Sequence, residues 1–257
     1  MLRDSGLQQA IEAAGGVGAL SRTLGIAQPS VSNWQRVPAE RVRAVEAATG
    51  VPRGALHADL YPPEGPALDD VDRARAQEYA LLALVLGRTA SPDLLARLAD
   101  LEGDASPLGE AHAALAAAAQ ATDAAAVADE YFALFVGLGR GELLPYASYY
   151  LTGFLHERPL ARVRADLDAL AVRRDAAVSE PEDHVALLCE TMSGLIAGRF
   201  AAPGIGEREF FARHLEPWTG RFFADLEGAK AARFYRAVGA VGRRFMEIET
   251  EAFTLPA

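Results

Sequence analysis

The chain is predicted to be all-α, on three observations. From Asp69 onward no segment alternates apolar and polar residues with period two, and no Asn-Gly hairpin turn occurs. Ala, Leu, Arg and Glu, which lose little on entering a helix, dominate that region. The segment before it carries a helix, a glycine corner and a second helix between Gly16 and Trp34.

Tyr61-Pro-Pro-Glu-Gly-Pro66 can neither propagate a helix nor donate to a β-ladder, and it divides two segments of different character. The expected organisation is a helix-turn-helix domain over 1–62, a Pro/Gly-rich linker over 63–69 and a larger helical domain over 70–257. In the first, Leu20 and Ser21 fall on one helix, Gly25-Ile26 on the corner, and Val31 and Trp34 on the next. A tight interhelical turn needs Gly25 for positive φ, a small residue at Ser21 where the helices cross, and apolar Ile26 and Val31 to close the angle.

In the second domain the expected helices are 70–86, 92–101, 107–121, 124–137, 160–171, 181–200, 207–215, 218–226 and 229–251. The Ala-rich stretch from Ala113 to Ala128 reads as close helix packing. Tyr131, Leu134 and Phe135 lie at i, i+3 and i+4 on one face, and Gly137-Leu-Gly-Arg-Gly141 then ends the helix. Those glycines lack the Lys-Ser/Thr of a phosphate-binding loop. Tyr146, Ser148, Tyr149 and Tyr150 follow in a segment without charge, and tyrosines that need hydrogen-bond partners suit a groove wall as well as a core.

Glu180-Pro-Glu-Asp-His184 is the most informative stretch. Ser179 suits an N-cap, Pro181 an early helical position, and Glu182 stands where a capping box needs its acid. A helix is therefore expected from Pro181. Val185, Leu188, Met192, Leu195 and Ile196 would form its buried stripe, with Asp183 and His184 at the upper edge. Read alone, the same acids are also simply a helix start that offsets the macrodipole.

The formal charge of −10 is unevenly spread. Residues 1–66 hold six arginines and six acids, so the remainder carries 19 basic against 29 acidic residues and the whole excess. An acidic body favours cationic partners and repels nucleic acid. Apolar residues make up 51% of the chain, enough to fill a core, yet no run of about 18 apolar residues without charge appears. Met-Leu-Arg-Asp leads into a polar amphipathic segment, not a signal-peptide core, so a cytoplasmic address with no membrane insertion is expected. Cys189 is the single cysteine and reads as a small core hydrophobe. No cofactor motif is found.

The segment from Gly15 to Trp34, with Val37-Pro-Ala-Glu-Arg41, resembles the Cro/YdaS-type helix-turn-helix proteins of bacteria and phages over nearly all of the first 60 residues. The resemblance implies a recognition helix from Ala27 to Arg36. Gln28, Ser30, Ser32, Asn33 and Gln35 would face base edges or phosphates, and Arg36 phosphate. With so few cations a monomer should bind DNA weakly, so specific binding would require a homodimer on a two-fold site. A helical hairpin used only for docking is the alternative.

Glu130-Tyr-Phe-Ala-Leu-Phe135, Leu144-Pro-Tyr-Ala-Ser-Tyr-Tyr-Leu-Thr-Gly153, Glu180-Pro-Glu-Asp-His184, Phe210-Phe-Ala-Arg-His-Leu-Glu-Pro-Trp218 and Phe234-Tyr235 together resemble the TorD/DmsD/NarJ family of redox-enzyme maturation chaperones. The likeness runs over about 70–257, with Glu-Pro-x-Asp-His its most specific signature. It implies a cytoplasmic all-helical chaperone, not an enzyme, that holds a molybdenum-enzyme precursor (a reductase or formate dehydrogenase) and its twin-arginine signal peptide during cofactor insertion. Asp183 and His184 would then lie at a hinge by the peptide groove, and Tyr131, Leu134 and Phe135 where the family places residues important for the signal. Tyr131 stands where some members have Trp.

A twin-arginine leader joins two cations to an apolar stretch, so its receptor wants carboxylates at one end of an apolar groove. Glu180, Glu182 and Asp183, with Pro181 and His184, are the expected acidic end. Tyr131, Leu134, Phe135, Tyr146, Ser148 and Tyr149 are the expected wall. On that placement Asp183→Ala should weaken peptide binding without unfolding the domain. The DNA-binding unit would couple client status to transcription. The rival reading is a transcription regulator whose helical body senses a ligand or protein. An enzyme fares worst, since none of the five histidines pairs at i, i+4.

Overall fold

A computed structural model describes residues 4–57, 60, 68–173, 180–200 and 204–254. The chain divides into two compact units, Met1–Ala67 and Leu68–Ala257. The linker expected over 63–69 lies largely outside the described residues, which resume at Leu68. Fifteen α-helices, a 3₁₀ turn and a π turn are present, with no strand among the described residues. The chain is all-α, as its composition and patterning predict.

The first unit contains α1 (Ser5–Ala13), α2 (Val17–Thr23), α3 (Gln28–Ser32), a 3₁₀ turn (Ala39–Arg41), α4 (Val42–Thr49) and α5 (Arg53–Leu56). Asp4 caps α1 by accepting from the Gly6 N–H at 3.0 Å. Leu7, Leu20, Val31, Val42, Val45 and Leu56 are fully buried and form its core. Gly25 takes φ +65° at the corner between α2 and α3, where any side chain would be strained. Ser21 is buried at the crossing, its hydroxyl donating to the Gly18 carbonyl at 3.0 Å.

The second unit contains α6 (Asp70–Gly87), α7 (Pro92–Ala99), α8 (Pro107–Gln120), α9 (Ala124–Tyr131), a π turn (Phe132–Val136), α10 (Ala147–Thr152), α11 (Arg158–Ala169), α12 (Val185–Ile196), α13 (Glu207–His214), α14 (Thr219–Gly228) and α15 (Phe234–Thr254). Local chemistry starts several of these. Asp69, Ser91, Ser106 and Asp123 each accept a backbone N–H in the first turn of α6 to α9, and Pro92 and Pro107 occupy early positions that need no donor. The most extensive pairing joins α6 to α12, and α15 packs on α14 and α8. Gly87 and Ala186 are small enough to let α6 and α12 approach closely; a Cβ on Gly87 would sit 3.4 Å from that of Ala186. Tyr79, Leu82 and Leu86 of α6 and Leu188, Cys189 and Met192 of α12 belong to one core.

Among the boundaries that differ from expectation, three do so where a distant group overrides local propensity. The helix expected from Ala229 begins at Phe234. The Glu142 carboxylate holds the N–H groups of Lys230 and Ala231 at 2.7 and 3.0 Å, keeping that segment out of a helix. The Glu130 carboxylate takes those of Arg233, Phe234 and Tyr235 at 2.8, 3.1 and 2.7 Å and so caps α15. The helix expected over 124–137 widens into a π turn after Tyr131, where Glu142 and Leu143 N–H groups capture the Ala133 and Leu134 carbonyls. The third boundary, at the Glu-Pro-Glu-Asp-His motif, shapes the candidate site.

Candidate peptide-binding site

The helix expected from Pro181 starts instead at Val185, and the capping-box residue Ser179 lies outside the described residues. His184 is the N-cap: its Nδ1 accepts from the Ala186 N–H at 3.1 Å, which fixes Nδ1 as the unprotonated nitrogen. Glu180, Pro181, Glu182 and Asp183 therefore precede α12 instead of forming its first turn.

The motif is pinned to the segment before α10. Ala147 N–H donates to the Asp183 carbonyl at 3.0 Å and Val185 N–H to the Pro145 carbonyl at 2.9 Å, closing a single antiparallel bridge between Tyr146 and His184. The Asp183 carboxylate accepts from Ser148 N–H at 2.8 Å and from the Ser148 hydroxyl. Asp183 and Ser148 are both buried. Asp183 thus supplies a long-range cap for α10, a helix that the uncharged sequence around Tyr146 did not announce. The expectation that Asp183 stands at an exposed helix edge is corrected: it clamps two chain segments together.

The remaining expected residues separate into three groups. Leu134 is fully buried in the core, and Phe135 packs edge-on against Tyr131 and Tyr235 with ring centroids 5.0 and 5.4 Å away. Tyr149 turns elsewhere, stacking with Arg140, whose guanidinium donates to the phenol oxygen at 2.6 Å. Glu182 pairs with Arg164 at 2.9 Å. Leu134, Ser148 and Tyr149, expected in the wall, and Glu182 and Asp183, expected at the acidic end, therefore do not gather at one groove.

Tyr131, Tyr146, Glu180 and His184 do come together. The Tyr146 phenol donates to Glu180, the Tyr146 and His184 rings meet edge-on at 5.1 Å, and Tyr131 donates to the Leu86 carbonyl at 3.4 Å. Burial, then the Glu180 charge, raises the Tyr131 phenol above its usual pKa; burial, then its hydrogen bond to Glu180 and that carboxylate's charge, raises Tyr146 well above its own. Burial pushes the His184 imidazole down to about 4 against the opposing pull of Glu180 and Asp183, so it is neutral near pH 7.

Glu180 and His184 of this cluster line a groove of about 470 Å³ between α6 and α12, whereas Tyr131, Phe135 and Tyr146, expected in its wall, are not among its lining residues. Ala80, Ala83, Leu84 and Gly87 from α6, with Ala186 and Leu187 from α12, form an apolar floor. Glu180 and Glu190 supply its acids, and Arg88 and Arg199 its cations. Arg199 donates to the Ser193 hydroxyl at 3.0 Å. The α6 residues and Glu190 were not expected. A signal for them was present: α6 buries Ala76, Tyr79, Leu82 and Leu86, and the small or apolar residues at 80, 83, 84 and 87 continue onto an adjoining face, where Ala83 packs partly against the core and Leu84 is exposed.

In the first unit Gln28, Ser30, Ser32, Asn33, Gln35 and Arg36 are all exposed. Recognition-helix residues expected up to Arg36 stop earlier, since α3 ends at Ser32. Gln35 and Arg36 lie beyond it, where the Gln35 carbonyl accepts from Asp4 N–H at 2.8 Å and Arg36 pairs with Asp4 at 3.3 Å. Among the described residues no helix is long and apolar enough to cross a membrane, and no three His, Cys, Asp or Glu side chains gather as a metal site would require.

The chain combines a helix-turn-helix unit with an all-helical body that carries a groove of about 470 Å³. Residues 101–224 match the family model described as nitrate reductase delta subunit, and residues 7–64 that described as bacterial toxin YdaS. The chaperone protein TorD of Aliivibrio fischeri is 28% identical over 127 residues, covering 46% of this chain and 59% of that protein. TorD of Vibrio cholerae serotype O1 is 25% identical over 130 residues, with 47% and 59% covered. The chain thus spans 59% of the length of these curated relatives. A crystal structure described as a redox enzyme maturation protein, from Archaeoglobus fulgidus, superposes with a TM-score of 0.45 at 19% identity, over 67% of this chain and 93% of that one. Over these residues the helical body is similar to the TorD/NarJ redox-enzyme maturation chaperones, and the first unit to Cro/YdaS-type helix-turn-helix proteins.

Proposed function

We propose that the helical body is a cytoplasmic, non-enzymatic chaperone that receives the twin-arginine signal peptide of a molybdenum-containing redox enzyme (a reductase or formate dehydrogenase) in the groove between α6 and α12, and holds the precursor while cofactor is inserted. The observation that carries this reading is Glu180, held by the Tyr146 phenol, lining an apolar-floored groove together with Glu190. The leader's cationic pair meets the carboxylates and its apolar stretch lies over Ala80, Ala83, Leu84 and Leu187. Asp183 and His184 serve by shaping this end of the groove. Calorimetry of the full chain with a twin-arginine peptide, against the same peptide with both arginines changed to alanine, tests it. Binding of the arginine form alone is expected, and equal heats defeat arginine recognition.

The amino-terminal unit binds DNA in this reading, as a dimer, and links client occupancy to transcription. Support comes from the exposed Gln28, Ser30, Ser32 and Asn33 on and just beyond α3. A gel shift on the protein's own upstream DNA should weaken steeply with salt, and absence of any shift at low salt would favour a docking role for the unit. If DNA binding responds to a ligand but not to leader peptide, the regulator reading replaces the chaperone one.

A further inference from the structure

Residues 1–66 hold six arginines against six acids, so for a polyanion what matters is which cations the fold of the first unit leaves uncommitted. Arg3 lies outside the described residues. Arg36, which the helix-turn-helix resemblance assigns to phosphate, pairs with Asp4 at 3.3 Å, and Asp4 also caps α1. Arg53 pairs with Glu46 at 3.4 Å, and its N–H donates to the same carboxylate at 2.8 Å. These two guanidiniums are held by acids of their own unit. Arg22, Arg41 and Arg43 are exposed, and among the described residues none of their side chains meets a carboxylate or another hydrogen-bond partner.

Arg22 differs from the other two in what stands beside it. It lies in the last turn of α2, one turn after Gly18, and Gln28 is the first residue of α3. Gly18 has no side chain, and the nearest neighbours of a Cβ placed there would be the Gln28 Oε1 at 3.6 Å and the Arg22 Nη1 at 3.7 Å. The guanidinium and the carboxamide therefore reach over the same bare stretch of backbone. Both residues are exposed, and neither side chain is bonded to the other or to any described group, so their donors and acceptor remain available. A carboxamide matches the paired donor and acceptor on an adenine edge, and a guanidinium beside it matches phosphate oxygens. A nucleic-acid duplex offers both chemistries side by side.

We propose that Arg22 is the phosphate-contacting cation beside the recognition helix, acting next to a base-reading Gln28, while Arg36 is committed to the fold through Asp4. This inference rests on the DNA-binding reading of the first unit and reassigns the charge that such binding depends on.

The test titrates the full chain, by fluorescence anisotropy over a range of salt concentrations, against a labelled duplex from its own upstream DNA and against an unrelated duplex. Arg22→Ala should weaken both by about tenfold and lower the slope of log Kd against log salt by about one for each protomer bound. Arg22→Lys keeps the charge and should keep the slope, whereas the uncharged Arg22→Gln should not. D4N/R36A removes an ion pair of no net charge, leaves a capping side chain on α1 and should retain the wild-type slope. Gln28→Ala should weaken the upstream duplex more than the unrelated one, as loss of a base contact does. All of these side chains except Asp4 are exposed, so the variants should fold, and melting curves check that they do. Wild-type affinity and slope in Arg22→Ala, or a lowered slope in D4N/R36A alone, would overturn the proposal and leave the DNA reading standing. Wild-type protein that binds neither duplex at low salt would defeat the DNA reading and this inference with it.

Discussion

Asp183→Ala should destabilise the helical body substantially, contrary to what its place in the sequence motif suggests. In the wild type one carboxylate oxygen accepts both the N–H and the hydroxyl of Ser148, and neither residue is reached by solvent to any useful extent. Removing the acceptor leaves two buried donors unpaired. Each costs about 1–3 kcal/mol, and relief from burying a carboxylate offsets part of the sum, so a net loss of about 2–4 kcal/mol is expected. For a body of this size that corresponds to a melting temperature lower by about 5–15 °C. Asp183→Asn keeps an oxygen acceptor in place and should lose about half as much. Urea unfolding followed by fluorescence of the buried Trp218, with Trp34→Phe in every protein so that only the body reports, measures this. If Asp183→Ala unfolds within about 0.5 kcal/mol of wild type while losing peptide affinity, the clamp argument fails and the residue is a binding group.

Three further outcomes are expected. His184 has a folded-state pKa pushed below its unfolded value, to about 4, so the unfolded chain binds the extra proton first; its contribution is complete above about pH 6.5 and declines as pH falls towards 4. The loss reaches about 3 kcal/mol, and chemical unfolding against pH should be flatter by that amount in His184→Asn, which retains a cap acceptor. The comparison cancels His112, whose pKa is raised by its bond to Glu78 and whose contribution runs the opposite way, present at low pH and lost as pH rises. Glu249→Gln should cost about 2–3 kcal/mol by calorimetric melting, because Glu249 is fully buried, accepts two bonds from Arg75 at 2.7 and 3.0 Å and one from Tyr79 at 3.1 Å, while Asp72 remains to hold Arg75; an unchanged melt contradicts this. Gly6→Ala should unfold the first unit by about 2 kcal/mol or more, since its Cβ would fall 1.9 Å from the Ala55 carbonyl oxygen, and the indole NMR signal of Trp34 should show it.

Most helices were legible because their start signals and apolar spacing are local. The α6, α8 and α13 spans differ from expectation by a residue or so, and Gly25 adopts the positive φ that the interhelical corner demands. What was illegible depends on contacts between residues far apart in sequence. Asp183 reads as a helix-start acid, yet its partner is Ser148, 35 residues away, and that contact both creates α10 and hides the carboxylate. Glu130 and Glu142 look like ordinary surface acids and instead set where α15 begins, about 90 to 105 residues later. The site was half legible for the same reason. Glu180 and His184 were found because a motif marks them, whereas Ala80, Leu84 and Glu190 become a groove only when α6 and α12 pair. Leu134 carries the same spacing as Tyr131, but helical periodicity does not distinguish a core face from a groove wall.

The most direct measurement places a photo-reactive benzophenone amino acid at Leu84, an exposed apolar residue of the α6 groove floor, and separately at the exposed Leu138, which does not line the groove. Illumination with a labelled twin-arginine leader should yield a cross-link from position 84 that excess unlabelled leader suppresses, and none from position 138. Cross-linking from 138 alone, or from neither position while the leader still binds, would contradict the assignment of the α6/α12 groove to the leader.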